Sequence, residues 1–154
     1  ALRFNIEEVP VIGAKAAGVK AINLKGDDVV VSAFIANTKS IFILTQRGSL
    51  KRMSVNDLPQ TKRAGRGLQV LRELKAKPHR VFLAGPVFAE NGGAELDLFA
   101  TEVEEKQQIL QVQSQTGQID EVNLTNLSLS ERTSNGSFIS DSISDQGVFA
   151  AKVK

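Results

Sequence analysis

The sequence predicts an all-β protein made of repeated units of about 50 residues, each a sheet of roughly four antiparallel strands. Two observations lead to this prediction. The chain repeats its own pattern, and its apolar segments are short and rich in β-branched and aromatic residues. Long helical periodicity is missing. A modular array such as propeller blades or a solenoid is therefore expected, with about two and a half to three units.

The repeat is clearest between LRFNIEEVP at residues 2–10 and KRMSVNDLP at residues 51–59. The two segments align at an offset of 49 residues, so that Arg3 falls on Arg52. A third copy follows the second at an offset of 69 residues and places Gly136 on Gly67. The predicted units are residues 1–36, 40–89 and 107–154, with an acidic insertion at 90–106.

Short strands are predicted inside each unit. SIFILTQRGSLKRMSV reads as a hairpin turning at Arg47-Gly48, and VVVSAFIA, HRVFLAGPVFA and QGVFAAKV read as further strands. LQVLRELKAK favours strand and turn over helix. The first unit begins at its second half, which predicts a fragment with an open edge that allows a strand-swapped homodimer. Most phenylalanines are expected in the core: Phe4, Phe42, Phe82, Phe88, Phe99, Phe138 and Phe149.

Composition excludes several kinds of chemistry. The chain has no cysteine, which removes disulfides, thiolate metal sites and a cysteine nucleophile. Its one histidine, His79, follows Pro78 at the start of a strand and has no triad pattern around it. No P-loop pattern is present, and no set of ligands has the spacing of a metal site. No catalytic residues and no metal are therefore predicted.

Charge is distributed unevenly along the chain. Residues 1–89 contain 15 Lys and Arg against 6 Asp and Glu, a net charge of +9. Residues 90–154 contain 4 against 11, a net charge of −7, which together give the overall +2. This asymmetry indicates a face that meets a polyanion. Two solvated faces of opposite sign remain an alternative, and so does a protein-docking role for the acidic half, including Glu102, Glu104 and Glu105.

The stretch QTKRAGRGLQV at residues 60–70 predicts a phosphate-contacting loop. Lysine and arginine neutralise phosphates, while glycine lets backbone N–H groups approach an anion. Because there is no Trp or Tyr for stacking and no helix for a groove, backbone contact with duplex DNA is favoured, with bending of the duplex as one form of it. The predicted DNA-binding residues are Arg47, Lys51, Arg52, Lys62, Arg63, Arg66, Lys15 and Lys20.

The third unit provides an internal comparison. Where the second unit has Lys51-Arg52, the third has Asp120-Glu121, while the glycines and apolar positions remain. If the cations were required for folding, every unit would be expected to carry them. The pattern therefore predicts a partner surface on two units that is absent from the third.

These residues resemble a known family. The pattern R-F-x-x-x-[DE]-[VL]-P…A-x-G-V-x-x-I-x-L-x-x-x-D, read from Arg3 to Asp28, is similar to the repeats in the C-terminal domain of bacterial type IIA topoisomerase A subunits. QTKRAGRG keeps part of the Q-R-R-G-G-K-G loop of the gyrase branch but interposes Thr61-Lys62. This altered loop is more similar to the topoisomerase IV branch.

The resemblance implies a β-pinwheel that contacts and bends duplex DNA along a basic rim. It also implies a cytoplasmic, nucleoid-associated bacterial enzyme that relaxes and decatenates DNA during chromosome segregation. ATP and Mg²⁺ would belong to the holoenzyme, not to this piece, and its partners would be the remainder of the A subunit, together with an ATPase B subunit. The nucleophile of the family is a tyrosine, and this chain has none. No membrane association is implied.

Overall fold

The computed structural model describes residues 1–88 and 107–154. Its seven strands are antiparallel to their neighbours in two sheets, which confirms the predicted all-β class. The strands are β1 Ser40–Thr45, β2 Ser49–Ser54, β3 Val81–Val87, β4 Ile109–Ser114, β5 Ile119–Asn123, β6 Ser137–Phe138 and β7 Val148–Val153. The helical elements are α1 Asp141–Gln146 and two single 3-10 turns, Ile6–Glu8 and Val55–Asp57.

The sheets do not coincide with the sequence repeats. One sheet has the order β3-β1-β2-β6 and the other the order β5-β4-β7. Strand β6 belongs to the third repeat in sequence but completes the sheet of the second repeat, where Leu50 pairs with Ser137. Each described sheet therefore contains one hairpin. The edge strand β6 of the four-stranded sheet comes from the repeat that follows.

Hairpins of the two sheets turn at equivalent glycines. Gly48 has φ 77° between β1 and β2, and Gly117 has φ 89° between β4 and β5. This left-handed conformation is strained for residues with a Cβ atom. The hairpin predicted at Arg47-Gly48 is confirmed.

Strand β1 is buried along its whole length because it lies between β2 and β3 and is covered on both faces. Phe42 and Leu44 point into a core that also contains Leu110 and Ile143 of the third repeat. The alternate residues of β1 pack in a second core, which contains Ile41, Ile43, Met53, Val55, Leu58, Val70 and Leu71. The first core thus holds the second and third repeats together.

The first repeat differs from the prediction. VVVSAFIA, at residues 29–36, forms no strand, and Val29 and Ile35 are 72% and 63% exposed. The equivalent strand of the second repeat, β3, pairs with β1. The first-repeat segment instead lies beside β3 without pairing with it, since the N–H of Ala84 donates to Ser32 Oγ at 3.0 Å.

Other local predictions were wrong. Residues 68–77 form no strand, although they bend at Leu71 and at residues 75–77 in line with the predicted turn, and the short helix α1 was not expected. Phe42 is buried, but Phe88, Phe138 and Phe149 are 54%, 44% and 62% exposed, since they lie at strand edges or ends instead of under a sheet. Phe99 and the acidic insertion at 90–106 lie outside the described residues. No helix in the described ranges has the length and hydropathy of a membrane span.

Candidate nucleic-acid interface

The interface is built around one loop in each repeat, here called the glycine box: residues 11–21, 60–70 and 129–139. In each box a glycine adopts a left-handed conformation, with φ of 85° at Gly18, 76° at Gly67 and 75° at Gly136. A Cβ atom on Gly67 would overlap the carbonyl oxygen of Ala1, and one on Gly136 would overlap that of Leu50. Glycine is thus required where a box crosses the preceding repeat.

Each of the two later boxes pairs with the repeat before it. The amide of Leu68 donates to the carbonyl of Ala1 at 2.7 Å, and the amino group of Ala1 donates back to Leu68 at 2.7 Å. Leu50 and Ser137 form the equivalent antiparallel pair. A second contact also recurs, because Thr61 N–H donates to Arg3 O at 2.9 Å and Ser130 N–H donates to Arg52 O at 2.7 Å. The chain therefore contains two copies of one junction.

An arginine clamps each junction. Arg3 Nη1 donates to the carbonyls of Val55 and Leu58, both at 3.2 Å. Arg52 Nη1 donates to the carbonyls of Thr125 and Leu127 at 2.6 and 3.3 Å, and its Nε donates to Ser40 Oγ at 2.8 Å. Because Arg52 is committed to these acceptors, it is a connector between repeats in this structure.

Lys51 is enclosed by backbone oxygens of its own box and of the following box. It is 2% exposed, and its Nζ donates to the carbonyls of Val70, Arg132 at 2.6 Å and Ser134 at 2.8 Å. Burial, reinforced by the charge of Arg132 and opposed by Asp57, lowers the pKa of Lys51 to about 8. A phosphate could reach this ammonium only if the junction opened.

Arg63 also faces inward. Its Nε donates to the carbonyl of Glu8 at 3.0 Å, its Nη1 donates to the carbonyl of Lys20, and its backbone N–H donates to Glu8 Oε2 at 2.8 Å. These bonds attach the first repeat to the box of the second. Arg63 therefore fixes the loop instead of extending from it.

Arg47 occupies the hairpin turn of the second repeat. It donates to the carbonyl of Lys77 and to His79 Nε2, each at 3.1 Å, and its guanidinium lies 5.4 Å from the ring centre of Phe138. Because arginine can only donate, His79 accepts through Nε2. Burial and the neighbouring Arg47 charge both lower the pKa of His79. This cluster lies apart from the box, in the β1–β2 turn.

The remaining predicted cations point into solvent. Lys15, Lys20, Lys62 and Arg66 are exposed. Lys62 and Arg66 line a shallow groove of about 310 Å³ beside Gly65 and Gly67, and within the described residues neither has a hydrogen-bonded or ion-paired partner. Lys20 donates to Asn23 Oδ1 at 2.7 Å. The structure thus brings Lys62 and Arg66 together on one loop and assigns Lys51, Arg52 and Arg63 to the junctions.

The third box makes its junction with different side chains. Arg132 donates to the carbonyl of Gln69, and Asn135 Oδ1 accepts from the N–H of Arg72 at 2.7 Å. Glu131 is exposed where Lys62 stands in the second box. The outer surface of this box is therefore not cationic.

Sequence reasoning missed the clamp formed by Arg3 and the inward direction of Arg63. A signal for the clamp was present, since arginine recurs at the same place in the two repeats that are each followed by another box. Nothing in the spacing of Lys62, Arg63 and Arg66 indicates which side chain turns inward. In the described part of the chain, no three acidic or histidine side chains group as they would around a metal ion.

Comparison with known proteins identifies the family. Residues 1–37 and 39–87 match the family model described as DNA gyrase C-terminal domain, beta-propeller. The chain belongs to this family. The matched ranges contain the first two boxes and the Arg3 and Arg52 clamps, and they confirm the resemblance noted in the sequence.

Similar proteins come from the topoisomerase IV branch. The chain is 68% identical over 151 residues to the A subunit of DNA topoisomerase 4 from Streptococcus pneumoniae serotype 4, covering 98% of this chain and 18% of that protein. It is 43% identical over 141 residues to the corresponding protein of Bacillus subtilis, covering 91% of this chain and 15% of that protein. The chain thus spans less than a fifth of the length of these relatives.

A solved structure shares the fold. The crystal structure of the C-terminal domain of DNA topoisomerase IV superposes with a TM-score of 0.78 at 31% sequence identity. The match covers 97% of this chain and 42% of that one. This likeness confirms the propeller-like arrangement predicted from the repeats.

Proposed function

We propose that this chain is a DNA-contacting accessory domain of a topoisomerase IV A subunit. In this role it binds the backbone of duplex DNA, and bends it, through the exposed cations of the first two glycine boxes. The domain thereby helps the enzyme to capture DNA during ATP-dependent relaxation and decatenation in chromosome segregation. The proposal draws on the family membership and on the chemistry of the boxes.

One observation carries the proposal: Lys62 and Arg66 extend into solvent from a loop whose backbone is held on both sides. Gly67 is fixed against Ala1, and Arg63, which lies between the two cations, is bonded to Glu8. The backbone beneath the two charges is therefore fixed, while their side chains make no hydrogen bond or ion pair within the described residues. Preorganised cations of this kind lose less conformational entropy when they bind phosphate than cations on a mobile loop.

Lys62 and Arg66 can contact the phosphates of DNA in different ways. The guanidinium of Arg66 can donate two parallel hydrogen bonds to one phosphate, whereas Lys62 acts as a mobile point charge. Lys15 lies in the equivalent box of the first repeat, and Lys20 closely follows Gly18 there. We therefore place the phosphate contacts at Lys15, Lys20, Lys62 and Arg66, and give Lys51, Arg52 and Arg63 a structural role.

The chemistry of strand passage is placed outside this chain. Since the chain spans less than a fifth of its relatives, we assign the catalytic tyrosine, ATP and Mg²⁺ to the rest of the holoenzyme. The proposed protein partners are an ATPase B subunit together with the remainder of the A subunit. The proposed location is the bacterial cytoplasm at the nucleoid. If two copies exchange strands, the apolar edge at residues 29–36 is the proposed place.

An electrophoretic titration of the folded chain with linear and supercoiled duplex tests the proposal. The double variant Lys62→Gln/Arg66→Gln is expected to bind about tenfold more weakly at low salt because it neutralises two fewer phosphates. Lys75→Gln/Lys152→Gln changes the net charge equally at two exposed positions outside the boxes and is the matched control, with affinity expected near that of the wild type. Equal weakening in both variants, or no duplex binding by the folded wild type, would reject it.

A further inference from the structure

Two adjacent residues in each repeat, here called the docking pair, occupy the position that faces the following repeat. The docking pairs are Leu2-Arg3, Lys51-Arg52 and Asp120-Glu121, aligned by the offsets of 49 and 69 residues. The first two pairs lie at the junctions described above. The third lies on β5, the edge strand of its sheet.

Both filled junctions depend on donors from the docking pair. Arg3 donates to carbonyls in and beside the 3-10 turn Val55–Asp57, Arg52 donates to carbonyls of the turn that follows β5, and Lys51 donates to carbonyls of the third box. Arg3 is an additional donor at its turn, since the carbonyl of Val55 also accepts from the N–H of Leu58. A carboxylate at the same position offers no hydrogen and would place negative charge against carbonyl oxygens.

The third docking pair is turned back over its own repeat. Asp120 Oδ2 accepts from Ser140 Oγ at 2.7 Å. Glu121 accepts from Lys154 Nζ at 2.7 Å and from Gln111, which lies opposite it on β4. The hydrogen bond from Lys154 lowers the pKa of Glu121, so the carboxylate stays ionised. Neither acid is directed outward as Arg52 is.

Two halves of an unfilled junction are present in the chain. The outer edge of β5 has no partner strand among the described residues, and Ile119, the counterpart of Leu50, is 57% exposed. In the first box, the part around Gly18 is free in the same way among the described residues, although Lys20 and Ala21 at its end bond to the second box. Gly18 keeps the left-handed conformation with nothing within 4 Å of a built Cβ, and Val11 is fully exposed.

We propose that the docking pair decides whether a repeat accepts the glycine box of another repeat, and that Asp120 and Glu121 close the edge of β5 to such boxes. The box that this closure excludes most directly is that of the first repeat in a second copy of this chain. Without the closure, heterologous contacts of this kind would join copies head to tail into open chains. The acidic pair thus keeps a further glycine box from pairing with the edge of β5.

Reversal of the pair provides the test. In Asp120→Lys/Glu121→Arg the edge of β5 carries the residues of the second repeat. Sedimentation velocity should then show a weight-average mass that rises with concentration, whereas the mass of the wild type should stay constant. Adding Gly18→Ala should abolish this association, because the new Cβ would meet the carbonyl of Ile119. Gly26→Ala, also at a positive φ but outside the box, is the matched control and should leave association intact.

Two outcomes would overturn the proposal. One is a folded double variant, judged by circular dichroism, that remains monomeric at every concentration. The other is a wild-type chain that already associates and no longer does so with Gly18→Ala. If the double variant does not fold, Lys51→Asp/Arg52→Glu gives an independent test. The amides of β6 should then lose hydrogen-exchange protection at least tenfold, while those of β1 keep it, and unchanged protection of β6 would contradict the proposal.

Discussion

The Nη1 atom of Arg52 lies 2.6 Å from the carbonyl oxygen of Thr125, which belongs to the next repeat, 73 residues further along the chain. Arg3 makes the equivalent contact with the turn at Val55. The same side chain at the same place in two repeats therefore joins successive units. This relationship changes the meaning of the basic residues, since part of the positive charge holds the repeats together.

Replacement of Arg52 by glutamine should destabilise the protein. The substitution removes charge-assisted hydrogen bonds to partly buried carbonyls, so the free energy of unfolding should fall by about 2 kcal/mol. Urea denaturation followed by circular dichroism measures the change. Arg66→Gln removes the same charge from an exposed position and should alter stability by less than about 0.5 kcal/mol. Equal effects of the two variants would show that Arg52 is not a clamp.

Gly136 should tolerate alanine poorly. Alanine would be strained at φ 75°, and its Cβ would overlap the backbone of Leu50, for a combined cost on the order of 3 kcal/mol. Gly117 has φ 89°, but its nearest neighbour to a built Cβ is the flexible Gln113 side chain at 3.8 Å. Gly117→Ala should therefore cost only about 1 kcal/mol. Thermal unfolding of both variants measures the difference, which would vanish if Gly136 were needed for its conformation alone.

Stability should depend on pH through Lys51. Its pKa is lowered from 10.5 in the unfolded chain to about 8 in the folded protein, so between these values the unfolded chain binds more protons. The free energy of unfolding should consequently rise with pH across this window, by at most about 1.4 kcal/mol per pH unit. Below pH 8 the lysine is protonated in both states and adds no slope.

The comparison with Lys51→Met isolates this contribution from that of other groups. Urea denaturation of both proteins at several pH values between about 7 and 10 gives the difference in their free energies of unfolding. This difference should shift in favour of the wild type as the pH rises. A constant difference across the window would mean that Lys51 has an ordinary pKa.

Arg63 and Arg66 are three residues apart but should have different functions. Arg63 should hold the first repeat in place, and Arg66 should bind DNA. Arg63→Gln removes the bonds to Glu8 and Lys20 and should increase cleavage of residues 1–39 in limited proteolysis several-fold. Arg66→Gln should leave cleavage unchanged and weaken duplex binding. Digestion followed by mass spectrometry, with a binding titration of the same samples, measures both effects. The opposite assignment would place Arg63 at the DNA.

The repeat pattern predicted most of the fold because glycines and apolar positions determine the strands. The hairpin at Gly48 and the strands β3 and β7 follow directly from local sequence. The exchange of β6 between repeats could not be predicted, because the two residues Ser137 and Phe138 resemble a loop until Leu50 is placed beside them. VVVSAFIA was predicted as a strand because its residues favour extended backbone. Local sequence does not show whether another strand lies in position to pair with it.

Charge was more difficult to interpret than shape. The asymmetry of the chain predicts a basic face, but sequence alone gives no measure of whether a cation points to solvent or to a carbonyl. Lys51 illustrates this, since it is 2% exposed and bonded to the following box. The third repeat lacks the cations of the second, yet it folds with Asp120 bonded to Ser140 in place of an outward contact. The cations are therefore dispensable in the third repeat, whereas in the second repeat Lys51 joins the repeat to the box that follows it.

The most direct test of the account is the salt dependence of duplex binding by the wild type and by Lys62→Gln/Arg66→Gln. A plot of the logarithm of the binding constant against that of the salt concentration should have a shallower slope in the variant. The expected decrease is about 1.8, or about 0.9 for each phosphate that the variant leaves unneutralised. Both proteins should unfold at the same urea concentration, because neither side chain has a partner in the described structure. An unchanged slope would contradict the assignment of these two cations to DNA.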